Sequence, residues 1–166
     1  MWAAEENNDR RPAFIADCHL GKLAKYLRMM GFDTLYFAQI DDSDLITLAI
    51  EQKRTILTRD KALSKHKNIP VLFLDSTETK AQLQTVFSRF RLKEYPAPFS
   101  RCIICNTPLQ VVEKSDVLHR VPKKVQRCFS HFEYCPFCDR VYWQGDHYRR
   151  MQQFLARVLE DSDSDH

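Results

Sequence analysis

No stretch of this chain approaches the roughly 20 consecutive apolar residues that a membrane-spanning helix requires, and the first eleven residues, MWAAEENNDRR, hold no apolar run of the secretory type. The expectation is therefore a protein of the reducing cytoplasm. No internal repeat is visible, which excludes solenoids and propellers. Charge of one sign is also lacking. A formal net charge of +3 over 166 residues says little about partners, and its distribution says more. With 44% hydrophobic residues, the chain has enough apolar material for one packed domain plus a small module.

Against that background six cysteines stand out. In a reducing compartment paired cysteines are metal ligands more often than disulfides. Cys102/Cys105 and Cys135/Cys138 form two Cys-x-x-Cys knuckles. The two-residue gap turns both sulfurs of a pair toward one point, so four thiolates can surround one Zn²⁺. A site closed by four thiolates leaves no position for substrate, which makes the expected zinc structural. Cys128, His119, His131 and His147 offer a Cys₃His alternative on paper. The matched spacing and the Pro136 turn favour the four-cysteine set.

Hydrophobic periodicity divides the first half into strands and helices in alternation. Strands are expected at residues 13–16, 34–37, 55–58 and 71–74, and helices at 20–30, 43–53, 61–66 and 79–90, with Gly31 closing the first helix. This pattern implies an α/β fold, a parallel sheet flanked by helices. In such a sheet, ligands bind beyond the carboxyl ends of the strands. Asp17, Asp60 and Asp75 follow three of the four expected strands, and Asp44 opens the second helix just after Asp41 and Asp42. Carboxylates converging on one rim repel each other unless a cation sits between them, and hard oxygen ligands suit Mg²⁺ or Mn²⁺. Each aspartate taken alone is more simply a helix cap, a first-turn acid or a turn residue.

Lys22, Lys25 and Arg28 lie at i, i+3 and i+6 of the first helix, opposite its apolar positions. Such a stripe neutralises phosphates along an RNA backbone or is simply a solvated face. Arg59 beside Asp60 is expected in a structural salt bridge, His19 in a turn, and Cys18 as a small buried residue. Residues 99–150 hold nine Lys/Arg against five acids. There Tyr142, Trp143, His147, Tyr148, Arg149 and Arg150 interleave aromatics with cations, a composition suited to single-stranded RNA. The alternative for Tyr142 and Trp143 is packing of the small module. A short helix at 151–159 follows, and residues 1–12 and the acidic stretch 160–166 are expected to be disordered.

The runs FIADCHLGKLAKYLR at 14–28, GFDT at 31–34 and TILTRD at 55–60 resemble the Mut7-C RNase domain, a PIN-like fold. RCIICN at 101–106, CPFC at 135–138 and VYWQGDH at 141–147 are similar to that family's C-terminal zinc ribbon. The resemblance implies a PIN-like domain over 13–98 and a zinc ribbon over 99–150. It also implies a metal-dependent ribonuclease in which Asp17, Asp44, Asp60 and Asp75 hold Mg²⁺ or Mn²⁺. The expected partner is RNA. A homodimer, a protein inhibitor and a host complex are all compatible with the resemblance. A binding adaptor with a degenerate site is the competing reading. A phosphoacceptor receiver is disfavoured because it needs adjacent acids after the first strand, where Cys18 follows Asp17.

Overall fold

The computed structural model describes residues 11–163. Four short parallel strands, β1 (Phe14–Ala16), β2 (Thr34–Tyr36), β3 (Thr55–Thr58) and β4 (Val71–Phe73), form a sheet in the order β2-β1-β3-β4. They alternate with α1 (Gly21–Met29), α2 (Asp42–Glu51), α3 (Lys61–Ser64) and α4 (Thr79–Phe90). β1 is fully buried because helices cover both faces, and the period-two pleat decides which side chain goes where. Phe14, Ala16 and Leu57 face the core built by Leu23 and Leu27 of α1 and Leu83 and Val86 of α4. Ile15 and Ile56 face the opposite core with Leu45, Ala49 and Leu63.

Gly31 ends the first βα unit as expected. Its φ of +90° is left-handed, and a Cβ there would meet the Ala97 carbonyl oxygen at 2.0 Å. No helix among the described residues is long and apolar enough to cross a membrane.

The second half holds an antiparallel sheet of β5 (Gln110–Val112), β6 (Phe132–Cys135) and β7 (Arg140–Tyr142), order β5-β6-β7. Two short helices, α5 (Lys114–Val117) and α6 (Lys123–Cys128), connect β5 to β6. The last helix, α7, runs Asp146–Asp163 rather than 151–159. Its apolar positions Met151, Leu155 and Val158 repeat at helical spacing and are buried in the first core. The four residues 160–163 therefore continue the helix instead of fraying, and Asp161 forms an ion pair with Lys80. Disorder expected at 1–12 also fails at Arg11, whose guanidinium donates to the Gly31 carbonyl and lies over the Phe32 ring. Residues 1–10 and 164–166 lie outside the described residues.

The small sheet is locked to the large one. Asn106 Oδ1 accepts from the Thr34 backbone N–H at 3.0 Å, and Asn106 Nδ2 donates to Asp33 at 2.6 Å. That contact lies at the amino end of β2, opposite the end where the aspartates sit.

Candidate acid rim and four-cysteine centre

β1 and β3 are neighbours. The connection after β1 leaves toward β2, the one after β3 toward β4, so the crevice between their carboxyl ends is the topological switch point of the sheet. Asp17 and Asp60 stand there. Asp17 is buried, at 8% exposure. Its Oδ1 accepts from the His19 backbone N–H at 2.9 Å, and its Oδ2 accepts from the Thr58 hydroxyl at 2.5 Å. The same hydroxyl accepts from the Asp60 N–H at 2.9 Å. Thr58 thus joins the two aspartates through one oxygen, and its full burial follows from its place on a central strand. The Asp60 carboxylate caps α3 through the Ala62 N–H.

Asp75 is exposed beyond the end of β4, and Asp44 is exposed in the first turn of α2 with Asp42. Among the described residues, the single group of three or more metal-ligating side chains with ligand atoms within 4.8 Å of one another is the cysteine set. The structure links the Asp17 carboxylate to the Asp60 backbone N–H through Thr58, and Asp44 and Asp75 stand exposed on neighbouring elements. Among the described residues Arg59 has no salt-bridge partner: it donates to the Asp75 backbone carbonyl at 3.2 Å, and its buried Nε has no hydrogen-bond partner there. Cys18 is exposed rather than buried, because the chain turns outward at the rim, where its carbonyl accepts from the Tyr36 hydroxyl. His19 serves the turn through its backbone.

Lys22 and Lys25 are exposed on α1, but Arg28 does not continue their stripe. It is 5% exposed and turns inward. Its guanidinium donates to the carbonyls of Thr34, Ile103 and Ile104, the last two inside the first knuckle. Three backbone carbonyls satisfy this buried cation, so it is turned away from solvent and phosphate. Burial lowers its pKa and the nearby cysteines oppose that shift. Arg149 and Arg150 remain exposed on the first turns of α7.

The knuckles are built alike. In each, the residue after the second cysteine donates its N–H to the first cysteine's carbonyl at 2.9 Å: Asn106 to Cys102 and Asp139 to Cys135. Each of these residues has a positive φ, 75° for Asn106 and 57° for Asp139. Asn and Asp are the side-chain-bearing residues that tolerate this conformation best. The cross-pair sulfur distances are 3.4 Å for Cys105–Cys135 and 4.0 Å for Cys102–Cys138. Four sulfurs at about 2.3 Å from one tetrahedral zinc lie about 3.8 Å apart, so the set fits that ion. Cys128 and the histidines stand outside it, and His131 instead lies 3.6 Å from Glu133.

Further groups tune the sulfurs. Burial opposes ionisation of Cys105, but hydrogen bonding from the Thr107 side chain and backbone prevails and draws its pKa down to about 6. Cys138 is pushed up to about 12, first by its hydrogen bond with Cys105 and then by desolvation. The Tyr142 hydroxyl lies 2.8 Å from Cys102 Sγ. Burial and that sulfur push the phenol's pKa up. Tyr142 is a partner of the thiol centre, while Trp143 packs beside Phe132 in the ribbon's own core. Thr58, Tyr142 and the anchoring role of Arg28 had no sequence signal beyond their types. Asn106 and Asp139 had one, their position directly after each knuckle.

The model of the Mut7-C RNAse domain family matches residues 12–155. The chain belongs to that family, and its function is ribonuclease-related. No curated protein and no solved structure matches it significantly.

Proposed function

We propose that this chain is a metal-dependent ribonuclease of PIN-like architecture. It hydrolyses RNA phosphodiester bonds at the acid rim and uses the zinc ribbon as a structural appendage that also contacts RNA. The observation that carries this reading is the Thr58 hydroxyl at the switch point of a parallel sheet, which holds the Asp17 carboxylate and the Asp60 backbone N–H beside each other. Carboxylates are hard donors, and Mg²⁺ keeps several waters while taking only one or two of them from a protein. Asp17 and Asp60 meet that requirement without a preformed cage, and Asp44 and Asp75 complete the acidic set. A bound Mg²⁺ or Mn²⁺ supplies Lewis acidity and a more acidic water.

The chain's own residues do the positioning. The His19 N–H and the Thr58 hydroxyl fix the Asp17 carboxylate in one orientation, and the Ala62 N–H fixes that of Asp60. Lys22 and Lys25, exposed on the helix that starts at the rim, attract the RNA backbone. In the ribbon, Cys102, Cys105, Cys135 and Cys138 hold zinc as thiolates, which fits a reducing cytoplasm.

Cleavage of labelled single-stranded and hairpin RNA should need added Mn²⁺ or Mg²⁺ and vanish in the Asp17→Asn/Asp60→Asn double variant with its zinc content and fold intact. Equal cleavage by the variant would remove the reading. One observation favours a second reading, an RNA-binding adaptor with a silent rim: both Asp17 oxygens and Asp60 Oδ1 already have partners within the fold. RNA that binds and is never cut under any metal would establish it.

A further inference from the structure

A cavity of about 570 Å³ opens between the ribbon sheet, residues 98–101 and the first turns of α7. Its volume lies within the range of small-ligand sites, about 300–1,000 Å³. Met29, the last residue of α1, lines it, whereas α1 starts at the rim. Nine helical residues at 1.5 Å each place the cavity about 13 Å from the acids, at the other end of the sheet. It is therefore a site separate from the rim.

Its walls are flat and aromatic. Trp143 is held on one side by Phe132 and by Gly145, where even a Cβ would come within 2.9 Å of the indole nitrogen. Tyr148 is backed by Phe99, with ring centroids 3.4 Å apart. Between apolar surfaces of this kind a planar ring system displaces water from both faces.

Two carboxylates line this space, Glu133 and the exposed Asp146, and Arg101 lines it as well. Glu133 on β6 is a cavity-lining residue with 22% of its side chain exposed, and its neighbour His131 is 3.6 Å away and mostly in solvent. Ionised, a carboxylate only accepts hydrogen bonds, so its ligand must present donors. Guanine is the RNA base with two adjacent donors, N1–H and the N2 amino group, on one edge. Adenine and cytosine place an acceptor next to their single amino group, and uracil flanks its one N–H with two carbonyls. Arg149 and Arg150, between the lining residues Tyr148 and Met151 in the chain, are exposed.

We propose that this cavity holds one unpaired guanine of the RNA, stacked on Trp143, with Glu133 accepting from its N1–H and N2 amino group. The inference deepens the ribonuclease reading and rests on it for the ligand being RNA. A base held here lies about one helix length from the rim, so it selects where a strand docks rather than the bond beside it.

The test uses the zinc-loaded full chain without added Mg²⁺ or Mn²⁺, so that cleavage does not enter. Anisotropy of end-labelled pentanucleotides should show AAGAA bound at least about tenfold tighter than AAAAA or AACAA, the discrimination expected of a bidentate base contact. Free 5′-GMP should compete and 5′-AMP should not, a readout that needs no variant. Glu133→Gln should bring the three pentamers within about threefold of one another. Equal binding of all three, binding of none, or a guanine preference that survives Glu133→Gln overturns the proposal. Guanine preference without cleavage in the metal assay would remove the nuclease reading and leave this site standing. Cleavage without the preference removes this site alone.

Discussion

The two ends of the parallel sheet solve opposite problems of charge. At the amino end, four cysteines converge to cross-pair sulfur distances of 3.4 and 4.0 Å, backed by hydrogen bonds with Thr107 and Tyr142. At the carboxyl end, aspartates follow the strands of one rim, and there the Thr58 hydroxyl holds the Asp17 carboxylate and the Asp60 backbone N–H. Thiols can assemble while protonated, so the backbone turns of two knuckles are enough to gather them. Carboxylates are ionised at neutral pH, and gathering them without a cation costs Coulomb energy. A fold can therefore complete the first kind of site in advance, while the second kind stays partly open.

The strongest way to break this contrast is to remove zinc. A strong chelator should unfold the ribbon, with a large loss of thermal stability, because structural zinc contributes on the order of 10 kcal/mol in small zinc domains. Thiol titration should rise from the two exposed cysteines, Cys18 and Cys128, to all six. Six reactive thiols before chelation would show that the centre binds no metal.

Next in size is Arg28→Ala. It strips the donor from three carbonyls on both sides of the junction and should lower stability by about 2–4 kcal/mol in denaturant titration. A loss below 0.5 kcal/mol, roughly that of an ordinary surface change, would mean the two halves are not coupled through this residue.

At the rim, Thr58→Val removes the hydroxyl between Asp17 and Asp60. A cost of about 1–3 kcal/mol is expected for the unpaired polar groups, together with a fall in RNA cleavage. Wild-type cleavage by this variant would show that the hydroxyl does not position the acids.

Acid sharpens the junction further. Burial alone would raise the Asp33 pKa, but hydrogen bonds from Arg54 and Asn106 and the charges of Arg54 and Arg101 hold it below its ordinary 3.8. Its folded pKa being depressed, Asp33 contributes stability that is present above 3.8 and lost as pH falls through the folded value. Melting temperature should fall more steeply below pH 3.8 in the wild type than in Asp33→Asn.

The smallest effects belong to Lys22→Ala and Lys25→Ala. Each should change stability by less than about 0.5 kcal/mol and lower the salt dependence of RNA binding by about one unit of slope. An unchanged slope would place the RNA path elsewhere.

Much of this was legible in the order of residues. Alternating apolar runs and turn residues marked the four strands of the parallel sheet, and two equal cysteine spacings marked the thiol centre. Both signals are local, repeating every two, three or four residues. The ribbon's strands were not legible, since three- and four-residue strands with half-buried faces leave no period to read. Arg28 misled for another reason. Its spacing from Lys22 and Lys25 is that of a solvated stripe, and only the arrival of Ile103 and Ile104, about 75 positions later, turns it inward. Long-range carbonyl acceptors have no sequence signature. The start and end of α7 were misplaced because the charges around Met151 and Leu155 hid a stripe whose partner, α4, lies far back in the chain.

That last helix has a consequence for how the protein is made. Met151, Leu155 and Val158 complete a core otherwise built from residues 14–92, yet they follow the whole ribbon in the chain. A ribosome releases the α/β half long before its final packing partner appears, leaving Tyr26 without the Phe154 ring that packs against it. Folding therefore cannot finish one half at a time. The ribbon must form inside a loop closed at both ends by the same core, which slows the search for native contacts and lengthens the period in which newly made chains can associate.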